Sequence, residues 1–247
     1  QAVTGTRVSE NTLYIADRLY TEDDFIVSTN ANGLKTYKLR SELPRPTLGG
    51  LIGPGDIKYV DVNGDGVIDS YDQVRGVGNP STPEIIYGFG LNAEYKGFYA
   101  SIFFQGAGNT SVLLGGATSE GWYPFSWGVD QSNYRTFALD RWTENNPSQD
   151  VIIPRLHKNN ANNANNRVAS TWWLRNGSFL RLKLVELGYT VPQKIVSKWG
   201  MSNLRLYMSS TNLFVLSKFK DWDVELAGNG LNYPLQRVFN IGVNVSF

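Results

Sequence analysis

Residues 61–72 read DVNGDGVIDSYD and set oxygen-bearing side chains at the intervals a calcium ion requires. Asp61, Asn63 and Asp65 take positions one, three and five of a calcium loop. Gly66 stands at position six, where the chain must turn sharply, and Ile68 is the apolar position eight. Asp69 and Asp72 follow at positions nine and twelve. Calcium is a hard cation that gathers about six to eight oxygens. The spacing therefore predicts that Asp61, Asn63, Asp65, Asp69, Asp72 and the carbonyl of Val67 meet at one centre. Aspartate replaces the usual glutamate at position twelve, and its shorter reach makes a two-oxygen contact there less secure. No helical pattern flanks the loop, so a structural clamp is expected rather than a paired sensor. The plainer alternative is a polar turn rich in Asx and glycine.

Other chemistry is sparse. Cysteine is absent, which removes disulfides and thiol catalysis, and the single histidine, His157 in a polar stretch, argues against His-based metal sites and Ser-His-Asp hydrolysis. Glu84, Glu94 and Asp140 are available carboxylates, but no spacing pairs them for glycoside hydrolysis. No enzymatic activity is expected. Charged residues make up 18% of the chain and the net charge is +1, so no nucleic-acid footprint is present. No apolar run reaches the roughly 18 residues of a membrane helix.

The elements that must carry these groups alternate in the manner of strands. The last eleven residues, RVFNIGVNVSF, place Phe239, Ile241, Val243, Val245 and Phe247 on one face and Asn240, Gly242, Asn244 and Ser246 on the other. Segments 85–95, 98–105, 178–190 and 203–213 repeat the pattern. Lys96-Gly97 predicts a tight hairpin between the first two of these. In 178–190 the alternation changes phase, which predicts a β-bulge near Leu184–Val185. Arg181, Lys183 and Glu186 are expected as charges of the lumen or interface of a barrel wall.

Short and long connections alternate: 96–97, then 107–177, then 191–202, then 214–236. Outer-membrane barrels have short periplasmic turns and long extracellular loops, and their strands are about nine to eleven residues long. With the chain end periplasmic, 107–177, 214–236 and the 61–72 loop fall outside the cell. Five strands cannot close a barrel, so further strands are expected from elsewhere. Residues 1–55 read as mostly irregular. Pro192 ends a strand, and Gln193–Trp199 is expected to form one or two helical turns closed by Gly200. Aromatics crowd the long connection. Trp142, Trp172 and Trp173 are expected in a small core, while Trp122, Tyr123, Phe125 and Trp127 suit either packing or a ligand. The run NNANNANN at 159–166 reads as a flexible tip.

GDIKYVDVNGDGVID (55–69) and GNPSTPEIIYGFGLNAEYKGFYASIFFQGAGN (78–109) resemble the C-terminal third of SusC/RagA-type TonB-dependent transporters. So do DRWTENNPSQDVIIPRL (140–156), SFLRLKLVELGYTVP (178–192), LRLYMSSTNLFVLSKFKDWDVE (204–225) and VFNIGVNVSF (238–247). The resemblance implies an all-β chain, the C-terminal portion of a large antiparallel transmembrane β-barrel of about 22 strands when complete. Residues 1–84 would be mostly extracellular loop and 85–247 barrel strands with long loops. It implies a Gram-negative, Bacteroidetes-like outer membrane and import of oligosaccharides or peptides. A SusD-like surface lipoprotein would cap the barrel. TonB would act through an N-terminal plug segment that this sequence lacks, so the chain is expected to be a fragment or one piece of a split barrel. The competing reading is a secreted, calcium-binding, carbohydrate-binding β-sandwich, which would bury the same apolar faces against a second sheet.

Overall fold

The computed structural model describes residues 5–7, 9–114, 136–157, 164–228, 230 and 232–247. Contacts divide the chain into two compact units. One comprises Gln1–Ser81, Ser111–Arg175 and Leu226–Asn232; the other comprises Thr82–Thr110, Asn176–Glu225 and Tyr233–Phe247. The division follows contacts rather than chain order, because most of the long connection groups with the N-terminal residues.

The second unit is a five-stranded antiparallel meander. Its strands are β1 (Ile85–Tyr95), β2 (Phe98–Gly108), β3 (Phe179–Thr190), β4 (Asn203–Ser217) and β5 (Val238–Ser246), in the spatial order β5-β4-β3-β2-β1. The expected 85–95 strand is found at its expected bounds, and two others run farther than their apolar pattern. Lys96 (φ 49°) and Gly97 (φ 85°) both adopt positive φ, which matches the right-handed twist of the flanking strands and makes the tight hairpin. The bulge lies beside its expected place. Phe103 pairs with Leu184 and Phe104 with Leu182, which leaves Lys183 over. On the other side Leu182 pairs with Phe214 and Leu184 with Thr211. Asn212, in the skipped stretch of β4, has φ 54°. The expected helical link is present as Gln193–Val196 and Ser197–Trp199, and Gly200 ends it at φ 71°.

Register sorts the sheet into two faces. One row crosses all five strands as Tyr95, Phe98, Tyr189, Leu206 and Val243, and the next as Ala93, Ala100, Leu187, Met208 and Ile241. Leu91, Ile102 and Val185 continue this apolar face, and Phe89 stacks on Phe104 with ring centroids 5.1 Å apart. The opposite rows hold Glu94, Tyr99, Gly188, Tyr207 and Gly242, then Asn92, Ser101, Glu186, Ser209 and Asn240. The apolar face is uncovered: Leu91 is 70% exposed and Ile241 88%. Exposed apolar surface on this scale is what a hydrocarbon solvent, not water, would stabilise.

The first unit is held by a core that includes Leu13, Leu19, Tyr20, Phe25, Ile57, Ile68, Trp142, Ile153 and Trp173. Trp142 and Trp173 are buried as expected, and Trp172 donates its indole N–H to Ile152 O at 3.1 Å. Trp122, Tyr123, Phe125 and Trp127 lie outside the described residues. Two expectations need refining here. Residues 1–55 are mostly irregular, but Ala16–Leu19 pairs with Ile57–Tyr59, and Phe25–Thr29 forms a hairpin with Lys35–Leu39. The hairpin carries no polarity alternation because both its faces are largely solvated, with Ile26 55% exposed. Its apparent pattern breakers, Asn30 to Gly33, are its turn, in which Asn30 Oδ1 accepts the N–H groups of Asn32 and Leu34. The asparagine run is also not a bare tip. Residues 159–163 lie outside the described residues, but Ala164–Arg167 is a helical turn with Asn165 and Asn166 buried.

Arg18 grips Asp24 from both guanidinium nitrogens, at 2.7 and 2.6 Å, and Thr21 N–H adds a third donor at 2.8 Å. Burial favours the protonated acid, but Arg18 and Thr21 outweigh it, and the Asp24 pKa falls below the ordinary carboxylate value. A depressed folded-state pKa stabilises above the unfolded value, and the contribution disappears as pH falls through the folded one. Thermal melts from about pH 4 down to about pH 2 should therefore fall more steeply for the native chain than for Asp24→Asn. Parallel acid limbs would contradict this.

Candidate functional site

The polar face of the sheet is built from paired charges and aromatic–glycine contacts. Arg205 Nη2 donates to Glu186 Oε1 at 2.6 Å, and its guanidinium lies 4.0 Å from the Tyr99 ring centroid. The Tyr99 hydroxyl donates to the same Glu186 oxygen. Tyr99 lies across Gly188 and Tyr207 across Gly242; a Cβ on either glycine would come within 2.1 and 2.3 Å of those rings. Glycine is required there because the rings lie flat on the strands. Toward the other end of β3, Arg181 is 3% exposed. It donates from Nη2 to Asp223 Oδ1 at 2.6 Å and pairs through Nε with Glu225 Oε2 at 2.5 Å. The segment 218–225 is thereby tied onto the sheet, with Phe219 and Val224 buried. Arg181 and Glu186 share this face as expected, Lys183 is the bulge residue, and Arg205 was not singled out by the sequence. Arg181, Glu186 and Arg205 each have an opposite partner. The arrangement suits a boundary between water and hydrocarbon, with no acid/base pair poised on a substrate.

In the 61–72 loop the oxygens turn toward backbone N–H groups. Asp61 accepts from Gly64 and Gly66 at 2.7 and 2.8 Å, and both glycines have positive φ. Asn63 Oδ1 accepts from Asp65 N–H and Asp65 Oδ1 from Val67 N–H, while the Asn63 amide reaches Asp65 Oδ2 at 2.9 Å. Asp69 caps Tyr71. Asp72 is wholly buried and places one oxygen on Val62 N–H and the other on Asp69 N–H, each at 2.8 Å. Val67–Ile68 pairs with Arg45–Pro46 and Ile68 is buried, which pins the loop's far side. Among the described residues no three His, Cys, Asp or Glu side chains are placed to hold a metal ion. Asp61, Asn63 and Asp65 lie on the solvent-facing arc of the loop, and Asp72 clamps it from inside through Val62 and Asp69 N–H.

A third constellation escaped the sequence reading. Asp56 is 1% exposed and gathers Gly53 N–H, Arg155, His157 and the Asn166 amide. Asn166 Oδ1 in turn accepts Ile57 N–H, and Asn165 donates to Ile57 O. The hub clamps 155–166 onto 53–57. Its only sequence signal was the pair of basic residues in Arg155-Leu156-His157, which periodicity does not rank.

No family model matches the chain. Two curated proteins of Formosa agariphila do. TonB-dependent receptor P26 is 30% identical over 245 residues, which is 93% of this chain and 23% of that protein. TonB-dependent receptor P3 is 27% identical over 215 residues, 81% of this chain and 20% of that protein. The chain is a relative of the TonB-dependent receptors. It spans about a fifth to a quarter of the length of these receptors. Among solved structures, the RagAB peptide transporter aligns over 96% of this chain and 22% of that chain, with TM-score 0.62 and 21% identity. The RagAB peptide importer in its open-open state aligns over all of this chain and 24% of that one, with TM-score 0.58 and 20% identity. The likeness shows the fold: the five-stranded meander has the fold of a portion of a β-barrel. That excludes the sandwich, in which a second sheet would cover Leu91 and Ile241. Both curated relatives are named as receptors, not as enzymes.

Proposed function

We propose that this receptor segment forms part of the wall and outer loops of an outer-membrane nutrient importer. The observation that carries the reading is the two-faced meander: one face apolar and uncovered, the other polar, with Glu186 paired to Arg205 and Arg181 to Asp223 and Glu225. The apolar rows would meet lipid and the Tyr99–Glu186–Arg205 row would face the lumen. The aromatic row Tyr95, Phe98 and Tyr189 lies beside the short turns, where an interface girdle belongs. The short turns 96–97 and 191–202 would be periplasmic, and the long connection with the 61–72 loop extracellular. TonB would act through a part of the receptor outside this segment, and a SusD-like lipoprotein would meet the outer loops. Oligosaccharide import is the cargo reading that the family resemblance favours. The likeness to the RagAB peptide transporter favours a second reading, peptide import.

Fractionation of cells expressing the full receptor tests the first part. The protein should partition with outer membranes, need detergent and bring a lipoprotein with it. A soluble monomer would overturn the reading. Uptake of oligosaccharides and of peptides, each compared between the parent and a receptor deletion strain, decides the cargo.

We also propose that the solvent-facing arc of Asp61, Asn63, Asp65 and the Val67 carbonyl takes calcium weakly, with Asp69 adjoining. With Asp72 committed to Val62 and Asp69, the affinity expected is that of extracellular calcium modules, about 0.1–1 mM. Calcium titration should give a midpoint in that range that Asp65→Ala abolishes. Asp72→Ala should lower the melting temperature equally with calcium and with chelator. A midpoint unmoved by Asp65→Ala would refute the arc.

A further inference from the structure

The first unit encloses a cavity of about 410 Å³ that none of the roles above uses. Trp142 and Tyr37 form aromatic walls, and Pro54 and Pro147 add surface without N–H donors. Trp142 is rigid: it is 7% exposed and its ring abuts Gly55, where a Cβ would come within 2.3 Å. The polar groups on the wall differ in how far they are already occupied. Gln149 spends both ends of its amide on the Leu19 backbone. Glu22 is held by Lys35 at 2.6 Å and by the Tyr37 hydroxyl at 3.1 Å, so its charge and that of Lys35 cancel.

Two groups remain. Tyr20 is 1% exposed, yet its hydroxyl makes no hydrogen bond to a described residue and lines the cavity. Burial, with Asp24 and Asp56 nearby, raises its pKa far above the ordinary phenol value, so it is a neutral hydroxyl at physiological pH. Glu144 is an exposed carboxylate on the rim that makes no ion pair or hydrogen bond with a described residue. The Tyr20 hydroxyl is therefore left for water or a ligand. The unbalanced charge of the cavity is one carboxylate.

We propose that this cavity binds the arginine side chain of a peptide, its guanidinium on Glu144 and Tyr20 and its plane against Trp142 and Tyr37. A guanidinium suits the set better than an ammonium. It is planar, stacks on aromatic faces and fans out several donors, and the two unpartnered groups are both acceptors. Its charge complements the carboxylate left over once Glu22 and Lys35 cancel. The inference concerns this cavity alone and stands whichever cargo the receptor imports.

The test uses the full-length receptor in detergent and fluorescein-labelled Gly-Arg-Gly in a polarisation assay, with Gly-Gln-Gly and Gly-Lys-Gly as competitors. Gly-Arg-Gly should bind, Gly-Lys-Gly should compete more weakly, and Gly-Gln-Gly should not compete. Glu144→Gln and Tyr20→Phe are nearly isosteric, and each should weaken binding by about tenfold or more. Circular dichroism melts matching the parent show that both variants are folded. Absence of Gly-Arg-Gly binding, equal competition by Gly-Gln-Gly, or unchanged affinity in both folded variants overturns the proposal. Tight Gly-Arg-Gly binding that neither variant weakens places arginine recognition elsewhere in the receptor and overturns it equally.

Discussion

Asp56→Ala is expected to unfasten the first unit at a cost of about 3–5 kcal/mol, the usual penalty for breaking a buried charge pair from one side. The Asp56 side chain is 2% exposed, and its partners Arg155 and His157 are 22% and 13% exposed at their side chains. Removing the carboxylate takes the acceptor from Gly53 N–H and the counter-charge from Arg155, which keeps only Leu51 O among the described residues, and leaves the Asn166 amide with Arg155 O. The loss should propagate along named bonds. Asn166 also accepts Ile57 N–H and, through its carbonyl, the Trp173 indole N–H at 2.8 Å. Hydrogen exchange on the full receptor should therefore show lost protection over 53–59 and 164–173, with β2–β4 unchanged. Asp56→Asn keeps an acceptor for Gly53 and should cost less than the alanine change. Unaltered exchange at Ile57 and Trp173 in Asp56→Ala would show that the apolar core holds 155–166 without the hub.

The same hub marks how far the residues could be read in advance. All five long strands were legible because each has one face against an apolar environment and one against a polar one, so period two is written into the chain. The hairpin at Lys96-Gly97, the bulge beside Leu184 and the helical turn closed by Gly200 were legible because backbone geometry restricts which residues stand there. The Phe25–Leu39 hairpin was not, since its two faces meet the same solvent and nothing sorts its side chains by polarity. Asn165 and Asn166 misled for a related reason: a buried amide bonded to backbone looks in sequence like any polar loop residue. Asp72 shows the limit at a site. Spacing alone placed it at position twelve of a calcium loop, and only the fold shows its oxygens committed to Val62 and Asp69 N–H. Spacing fixes which residues are neighbours, while their partners depend on competing donors that no spacing records.

The second large effect is expected where the two faces of the sheet diverge. Ile102 and Ser101 are adjacent on β2, near the middle of that strand's length. Ile102 sits between Leu91 and Val185 on the apolar face, and Ser101 between Asn92 and Glu186 on the polar one. If the apolar face meets lipid, Ile102→Arg places a charge near the middle of the hydrocarbon and should cost about 2–4 kcal/mol. Ser101→Arg adds the same side chain one residue away, faces water and finds Glu186 beside it, so it should cost well under 1 kcal/mol, a surface-pair magnitude. Urea titrations of the full receptor folded into lipid vesicles measure both. Depth distinguishes lipid from a protein interior. Arg substitution at Leu206, in the aromatic row beside the short turns, should cost only about 0–1 kcal/mol because a side chain near the interface can reach the headgroups. A wall packed against protein would penalise Leu206→Arg and Ile102→Arg alike, so equal penalties at the two positions would refute the lipid-facing wall, and a graded pair would establish both the face and the depth of each row.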